Sequence, residues 1–197
     1  METLKKSILI MVLLTFFSAF AYSQNYQRSY KSNEYPQWYM SGMGGISFPI
    51  GNFGENYKSG PTFGVELNMK VNKEVGFFGK VGYSIYPNKS SSSAPDGKYL
   101  EYTVGPRYSF NAKNLKSSLF LEAGVGGYSF IQDSYSLNGA EVAEYTSTDF
   151  GMNAGFGGIL NLGTNVDLLF KAKYHNILTD NGSTSFIEPV LGLDVNF

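Results

Sequence analysis

The stretch Ile187-Glu-Pro-Val-Leu-Gly-Leu-Asp-Val-Asn-Phe197 decides the fold class of this chain. Every second residue in it is apolar, from Ile187 to Phe197, and the residues between them are mostly polar or small. Successive side chains point to opposite faces in a strand, so the pattern predicts a strand with one apolar face. About 9–11 residues of tilted strand cross the hydrocarbon layer of a bilayer. The stretch therefore has the length and the pattern of a membrane-crossing strand.

Seven earlier runs alternate in the same way, and the cleanest of them is residues 62–71, where apolar and polar or small residues exchange at every step. These runs are residues 38–48, 62–71, 75–85, 100–110, 119–126, 149–162 and 166–175. No stretch of similar length keeps a helical period as well. The chain is therefore predicted to be all-β, with eight strands.

The connections between the runs alternate in length. Segments 49–61, 87–98 and 131–147 are long, segments 72–74, 111–117 and 163–165 are short, and segment 179–185 is intermediate. Outer-membrane barrels place short turns in the periplasm and long loops outside the cell. A β-sandwich gives no reason for such alternation. We therefore predict an eight-stranded antiparallel up-and-down transmembrane β-barrel.

Aromatic residues on the apolar face support this prediction because they cluster near the strand ends. Those near the long connections are Phe48, Phe63, Tyr83, Tyr102, Phe150 and Tyr174, and those near the short ones are Trp38, Phe110 and Phe197. Aromatic side chains anchor membrane barrels at both interfaces with water. Two aromatic girdles are therefore expected.

Composition excludes several classes of function. Of the 197 residues, 43% are hydrophobic and only 16% are charged, and the formal net charge is -1. Such a balance provides no polybasic surface, so no nucleic-acid partner is expected. The chain contains no cysteine, which excludes disulfide bonds and thiolate chemistry.

The N-terminal segment has the features of a secretory signal peptide. Two lysines precede a short apolar run, and small residues follow it, with cleavage expected after Ala21 or Ser23. A membrane anchor would need about 20 apolar residues. The predicted domains are the signal peptide at 1–23, a flexible polar tail at 24–36 and the outer-membrane β-barrel at 37–197.

Tight turns would bring opposite charges together inside the barrel. A turn at 72–74 puts Glu66 opposite Lys80, and the connection 111–117 puts Arg107 opposite Glu122. We predict both as lumenal ion pairs across neighbouring strands. The desolvation cost of a buried ion pair is often about as large as its Coulombic gain. The alternative is therefore that these pairs specify the strand register without adding stability. Other inward charges expected to complete the network are Lys171, Lys173, Glu101, Asp149, Glu188 and Asp194.

Two prolines fall inside predicted strands. Pro106 and Pro189 each lack the amide hydrogen that a strand donates to its neighbour. A closed barrel has no free edge where this would be harmless. Each proline is therefore expected to mark a local bulge or a missing hydrogen bond.

The sequence does not predict an active site. His175 is the only histidine, and Glu188 is expected to lie within a residue or two of facing it. Some barrels that modify lipid A use a histidine, a carboxylate and a serine, but here Asn176 follows His175 and the histidine faces inward. Metal ligands do not cluster in the sequence, and the glycines lie inside alternating strands. We therefore expect no catalytic, cofactor-binding or metal-binding residues, and no cofactor.

Two segments resemble known proteins. The terminal strand, ending in Leu-Gly-Leu-Asp-Val-Asn-Phe197, resembles the C-terminal signal of bacterial outer-membrane β-barrels. This resemblance implies that Leu193, Val195 and Phe197 form a targeting signal for the barrel assembly machinery. Segment 49–61 resembles the first loop of the small outer membrane protein beta-barrel domain family, which includes Bacteroidetes-type porin-family and OmpA/OmpX-like proteins. The second resemblance covers residues 38–197.

This family resemblance implies an integral protein of the bacterial outer membrane with a structural or surface-interaction role. Eight strands enclose a space that side chains just fill, so no open pore is expected. The expected partners are outer-membrane lipid or lipopolysaccharide, the assembly machinery, and an extracellular ligand bound by the loops. Segment 131–147 mixes acidic and aromatic residues and could bind such a ligand or be a solvated loop. Because the fold hosts many activities, a lipid A-modifying enzyme, a narrow porin and a secretion accessory remain alternatives.

Overall fold

The computed structural model describes residues 35–89, 95–110, 117–137, 140–163, 165–180 and 182–196, and eight of its strands close into one antiparallel barrel. These strands are β1 (Gln37–Ile50), β2 (Gly60–Lys70), β3 (Val75–Tyr86), β4 (Gly97–Phe110), β5 (Ser117–Gln132), β8 (Tyr145–Asn161), β9 (Val166–Thr179) and β10 (Gly182–Asn196). Their order around the barrel is β1-β10-β9-β8-β5-β4-β3-β2. The predicted eight-stranded antiparallel barrel is confirmed. The predicted signal peptide, most of the predicted tail and Phe197 lie outside the described residues.

The barrel wall is apolar outside and polar inside. In β2, the side chains of Phe63 and Leu67 are exposed on the outer face, whereas those of Glu66 and Asn68 are buried in the lumen. The same alternation runs along the other barrel strands, as the sequence period requires. A barrel in water would have the reverse arrangement, so the outer wall is built for contact with lipid.

The short turns set the strand registers. Asn72 Oδ1 accepts hydrogen bonds from the backbone amides of Glu74 and Val75, at 2.9 Å and 2.8 Å, and so closes the turn between β2 and β3. Glu66 therefore lies opposite Lys80. These registers agree with the sequence prediction.

The two strand prolines interrupt the sheet without shifting it. Pairing of β4 with β5 stops after Val104 and resumes at Arg107, so Pro106 is skipped. Pairing of β1 with β10 is interrupted in the same way at Pro189. The register is unchanged across both gaps, so no residue is inserted. Each proline thus removes a pairing interaction on one side and causes no bulge.

The long connections contain a helix and a hairpin that the hydrophobic alternation of the sequence does not predict. A short helix, α1 (Gly51–Asn56), follows β1. A separate hairpin, β6 (Tyr135–Leu137) and β7 (Ala140–Val142), lies between β5 and β8. The helices in the described part of the chain are all too short to cross a membrane.

The predicted connection at 179–185 is wrong, because β9 continues to Thr179 and β10 already begins at Gly182. Most of this segment is strand. Its outward residues on β10, Ser183 and Ser185, are polar, so the apolar alternation that identifies a strand is lost there.

Outward-facing aromatic residues lie near both ends of the barrel. Those on the side of the long connections are Phe48, Phe63, Tyr83, Tyr102, Phe150 and Tyr174, and those on the side of the short turns are Trp38 and Phe110. We call the first side the loop end and the second the turn end.

Candidate functional site: the filled lumen and its cap

The lumen contains two ion clusters, and the first surrounds Arg107. Arg107 Nη2 lies 2.6 Å from Glu66 Oε1, and its Nε lies 2.9 Å from Glu122 Oε2. Lys171 Nζ hydrogen-bonds to Glu66 and lies 3.2 Å from Glu122 Oε1. Each carboxylate of this Arg107 cluster therefore contacts at least two cations. Charge-assisted bonds of this kind are the strongest that side chains make.

Lys173 belongs to the same cluster but is less well bonded. Its Nζ lies 3.0 Å from Glu122 Oε1, yet within the described part of the chain no oxygen accepts a well-oriented hydrogen bond from it. The ammonium also lies 4.1 Å from the centre of the Phe78 ring, a cation–π contact. Glu122 keeps two other cations, so Lys173 is the dispensable charge of the cluster.

Replacing Lys173 by methionine is expected to change the free energy of unfolding by less than about 1 kcal/mol, because it removes a desolvated charge and leaves no carboxylate unpaired. The matched variant Lys171→Met should destabilise the barrel by roughly 2 kcal/mol more, since Glu66 and Glu122 would each lose a cation. Urea unfolding in lipid vesicles, followed by the fluorescence of Trp38, the only tryptophan, measures both effects. If both variants lost the same free energy of unfolding, Lys173 would not be the dispensable charge of the cluster.

The second cluster surrounds Lys80. Lys80 Nζ lies 2.5 Å from Glu101 Oε1 and 2.5 Å from Glu188 Oε2. His175 Nε2 lies 3.2 Å from Glu188 Oε2, and its Nδ1 lies 3.0 Å from the hydroxyl of Tyr128. All of these side chains are buried. The predicted proximity of His175 and Glu188 is confirmed, although the direct strand partner of His175 is Phe186.

The predicted ion pair between Glu66 and Lys80 is wrong. The two residues lie opposite each other, but their side chains extend across the lumen: Lys80 contacts Glu188 on β10, and Glu66 contacts Arg107 on β4. The barrel is narrow enough for long side chains to reach distant strands, so direct neighbours need not bond. Arg107 and Glu122 do pair as predicted.

Two acids that were expected in the network lie outside both clusters. Asp194 accepts a hydrogen bond of 2.8 Å from Ser41 near the turn end. Asp149 accepts one of 2.9 Å from Ser147 near the loop end. They extend the polar lining of the barrel without joining the ion bridges.

The expectation that metal ligands do not cluster is also wrong, because Glu101, His175 and Glu188 bring ligand atoms to within 4.8 Å of one another. The strands that carry them are far apart in sequence, so no spacing motif could reveal the group. Two carboxylates and an imidazole are a donor set that zinc accepts. Here, however, the Lys80 ammonium already lies 2.5 Å from both carboxylates and supplies the positive charge that a metal ion would bring.

Helix α1 forms an aromatic cap over the loop end of the lumen. The ring of Phe53 lies 4.9 Å from that of Tyr86 and 5.7 Å from that of Tyr99, measured between centroids. Both tyrosines are buried, together with Tyr128 and Phe186 beneath them. Lumenal side chains are therefore stacked from the Arg107 cluster up to α1.

Backbone contacts with the next connection hold the cap in place. Lys89 donates a backbone hydrogen bond of 2.9 Å to the carbonyl of Asn56, and its Nζ bonds to the carbonyl of Gly54. The backbone amide of Lys58 donates one of 2.8 Å to Pro87. Burial and the neighbouring Tyr135 raise the pKa of Tyr57, just after α1. The first two long connections thus form one packed unit.

Replacing Phe53 by alanine is expected to lower the free energy of unfolding by about 1–2 kcal/mol, because two edge-to-face ring contacts and half-buried apolar area are lost. Phe53→Leu should recover part of the loss, since it keeps apolar volume. The measurement is again urea unfolding in vesicles. If Phe53→Ala unfolded at the wild-type urea concentration, α1 would not be packed on the lumen.

The connection between β5 and β8 joins the two longest strands of the barrel and contains a hairpin of its own. These are the longest strands, with 16 and 17 residues, and the β6–β7 hairpin continues beyond them. Val142 and Tyr145 are exposed there. Asp133 is exposed too and bonds to Lys98 on β4. This connection therefore presents apolar, aromatic and acidic side chains to solvent.

The residues of the predicted targeting signal lie on the outer wall where the structure describes them. Leu193 is exposed and Val195 is half-buried. Phe197 lies outside the described residues. The targeting role stays a prediction.

Comparison with known proteins identifies the class of barrel. Residues 9–197 match the model of the family described as outer membrane protein beta-barrel domain. No curated protein sequence matches the chain.

Solved structures share the fold at low sequence identity. Neisserial surface protein A is 20% identical, with a TM-score of 0.61 over 81% of this chain and 97% of its own. The attachment invasion locus protein Ail of Yersinia pestis is 19% identical, with a TM-score of 0.56 over 83% and 100%. OprG of Pseudomonas aeruginosa is 12% identical, with a TM-score of 0.59 over 83% and 97%. By its family match and its closed barrel, this chain belongs to the outer membrane protein beta-barrel domain family and is a protein of the outer membrane.

Proposed function

We propose that the protein is a surface-interaction protein that binds its partner through the extracellular loops and has neither an open pore nor a catalytic activity. This proposal rests on the contrast between the filled lumen and the structured long connections. The lumen is occupied by side chains bonded across it, whereas the elaborated structure, α1 and the β6–β7 hairpin, lies in the long connections.

The names of two proteins with this fold support the proposal by analogy. One is called a surface protein, and the other is named for attachment and invasion. Folds do not dictate function, so the analogy only raises the expectation that loops on this barrel bind partners.

A pore or an enzyme finds less support. A conducting path would have to pass the Arg107 cluster and the Lys80 cluster, which are buried, and the half-buried Phe53 of the aromatic cap. His175 is fully buried, stacks on Phe186 at 4.4 Å and bonds to Tyr128, so a lipid substrate could not reach it. We expect silence in planar bilayers and unchanged lipid A mass spectra in cells that carry the protein. Stepwise conductance, or a lipid change abolished by His175→Ala, would refute this part of the proposal.

Replacing the β5–β8 connection tests the interaction role directly. Gln132 and Tyr145 face each other in register, so an Asn-Gly turn in place of residues 133–144 can close the hairpin without disturbing the barrel. The variant should unfold within about 1 kcal/mol of the wild type, because no buried cluster is touched.

Binding is then compared on cells that display either version. We expect the wild type to retain labelled extracellular-matrix proteins or glycans from an array, and the loop-replaced variant to lose at least one of these signals. A control replaces segment 90–94 by a glycine-serine segment of equal length. If the wild type binds nothing, or if the loop-replaced variant binds all targets as well as the wild type, the proposed role of this loop is wrong.

The secretion route is part of the same proposal. We expect the mature chain to begin after Ala21 or Ser23, and N-terminal sequencing of protein extracted from the outer membrane identifies the site.

A further inference from the structure

The loop end of the barrel is divided by charge. Three lysines, Lys58, Lys89 and Lys98, lie in or next to the first two long connections. Residues 117–170 contain no lysine or arginine, whereas their loop-end part, residues 131–150, contains four acidic residues. The part of the loop end formed by β5, β8 and their connection is therefore acidic.

A row of aromatic rings lies beside this acidic part. The Phe130 ring lies 6.1 Å from that of Tyr57 and 6.5 Å from that of Tyr145, measured between centroids. Tyr57 also contacts Phe53 of the aromatic cap, with 4.9 Å between the ring centroids. Tyr57 and Phe130 are half-buried, and Tyr145 is 56% exposed. Part of the row is therefore accessible to a partner.

Asp149 places a negative charge beside these rings. Asp149 and Tyr145 lie on the same face of β8, because every second side chain of a strand points to the same side. Phe130 pairs with Ser147, which lies between them on that face. The hydroxyl of the buried Tyr99 interacts electrostatically with both Asp149 and Tyr145. The carboxylate and the aromatic rings thus face one another.

The charge of Asp149 is not compensated within the described part of the chain. Its carboxylate accepts a hydrogen bond from Ser147, a neutral donor, and none of the described lysine, arginine or histidine side chains forms an ion pair with it. Lys98 lies opposite Ile131 and bonds to Asp133 instead. Aromatic faces attract cations as well. We call Tyr57, Phe130, Tyr145 and Asp149 the ring–carboxylate patch.

We propose that the ring–carboxylate patch binds an arginine side chain of a protein partner. This inference rests on the surface-interaction role proposed above and specifies the chemistry of the partner. The guanidinium would donate hydrogen bonds to Asp149 while its plane lies against the rings. Arginine is favoured over lysine because its flat, weakly hydrated group both stacks on aromatic rings and pairs with a carboxylate. A protein is favoured over a free amine because Val142 and Glu144, which are exposed on the same connection, extend the contact surface.

Peptide binding tests the patch in the intact barrel, held in phosphatidylcholine nanodiscs. The probe is a short fluorescent peptide of alternating arginine and serine residues. Its matched control carries citrulline, the uncharged analogue of arginine, at the same positions. The arginine peptide should bind at least about tenfold more tightly than the citrulline peptide, because the charge-assisted bond to Asp149 is lost in the control. A lysine peptide should bind with intermediate affinity.

Three variants locate the binding site. Asp149→Asn should weaken binding of the arginine peptide roughly tenfold, because it removes the charge and keeps an acceptor for Ser147. Tyr145→Phe should bind like the wild type, whereas Tyr145→Ala should bind roughly threefold more weakly, because it removes the ring. Asp180→Asn, which removes an exposed acid of the loop end outside the patch, is the matched control and should have no effect.

The proposal is overturned if neither peptide binds the wild type, if the citrulline peptide binds as tightly as the arginine peptide, or if Asp149→Asn weakens binding no more than Asp180→Asn. The comparison of the two peptides uses the wild type alone and is decisive even if a variant does not fold. Failure here is distinguishable from failure of the surface-interaction role. A wild type that retains a glycan from the array but not the arginine peptide would refute this inference and leave that role supported.

Discussion

Replacing Arg107 by methionine is expected to lower the free energy of unfolding by about 3–5 kcal/mol, the largest effect of any substitution considered for the lumen. The guanidinium bonds to Glu66 and to Glu122, both of which are buried, so its removal leaves two carboxylates short of positive charge. Arg107 also lies 4.2 Å from the centre of the Phe120 ring, and this contact would be lost as well.

Two further variants separate charge from geometry at this position. Arg107→Lys keeps the charge but lacks the planar fork of the guanidinium, so we expect an intermediate loss. The double variant Arg107→Met with Glu122→Gln should not recover the loss, because Lys173 would lose the carboxylate that lies 3.0 Å from its Nζ. Urea unfolding in vesicles measures all three. A loss below about 1 kcal/mol for Arg107→Met would show that the carboxylates are not held as charged groups by Arg107.

Replacing Gly45 by alanine is expected to destabilise the barrel by about 2–3 kcal/mol, because a side chain there would collide with backbone. A Cβ atom on Gly45 would lie 2.9 Å from both Cα and Cγ1 of Val190 and would contact the carbonyl of Pro189. Gly45 and Val190 are paired across the seam where the first and last barrel strands meet. That seam already lacks pairing at Pro189, so it has little room to adjust.

The neighbouring Gly44 provides the matched control. A Cβ atom there would approach the side chain of Phe63 at 3.4 Å, an ordinary contact on the outer face. Gly44→Ala should therefore change the free energy of unfolding by less than about 0.5 kcal/mol. Equal destabilisation by both substitutions would mean that the effect comes from glycine's backbone freedom and not from the close approach at the seam.

The barrel itself could be predicted because every strand carries the same period. One outward face must meet lipid along the whole crossing, so apolar residues recur at every second position from Phe63 to Leu67 and along the other strands. The apolar alternation is lost where the outward face of a strand no longer has to contact lipid. Ser183 and Ser185 are polar although they lie on the outer face, so the sequence of segment 179–185 indicates a connection where most of it is strand.

The lumenal contacts were only partly predictable for a different physical reason. Register follows from turn length, so the opposition of Glu66 and Lys80 could be derived from one turn. The bonds that those side chains make depend on strands brought near by closure, such as that of Glu188. The metal-like grouping of Glu101, His175 and Glu188 arises in the same way and has no counterpart in sequence spacing.

The cross-lumen ion bridges also bear on how the chain assembles. Besides His175, the two clusters contain four carboxylates and four Lys or Arg side chains, namely Glu66, Glu101, Glu122, Glu188, Lys80, Arg107, Lys171 and Lys173. Lys80 meets Glu188, and Lys171 meets Glu66, only after the first and last strands of the sheet have joined. A half-rolled sheet would leave Glu188 without Lys80 and Glu66 without Lys171, which is costly in the hydrocarbon. Complete neutralisation of the lumenal charges therefore requires ring closure, and we expect the two to occur together during insertion.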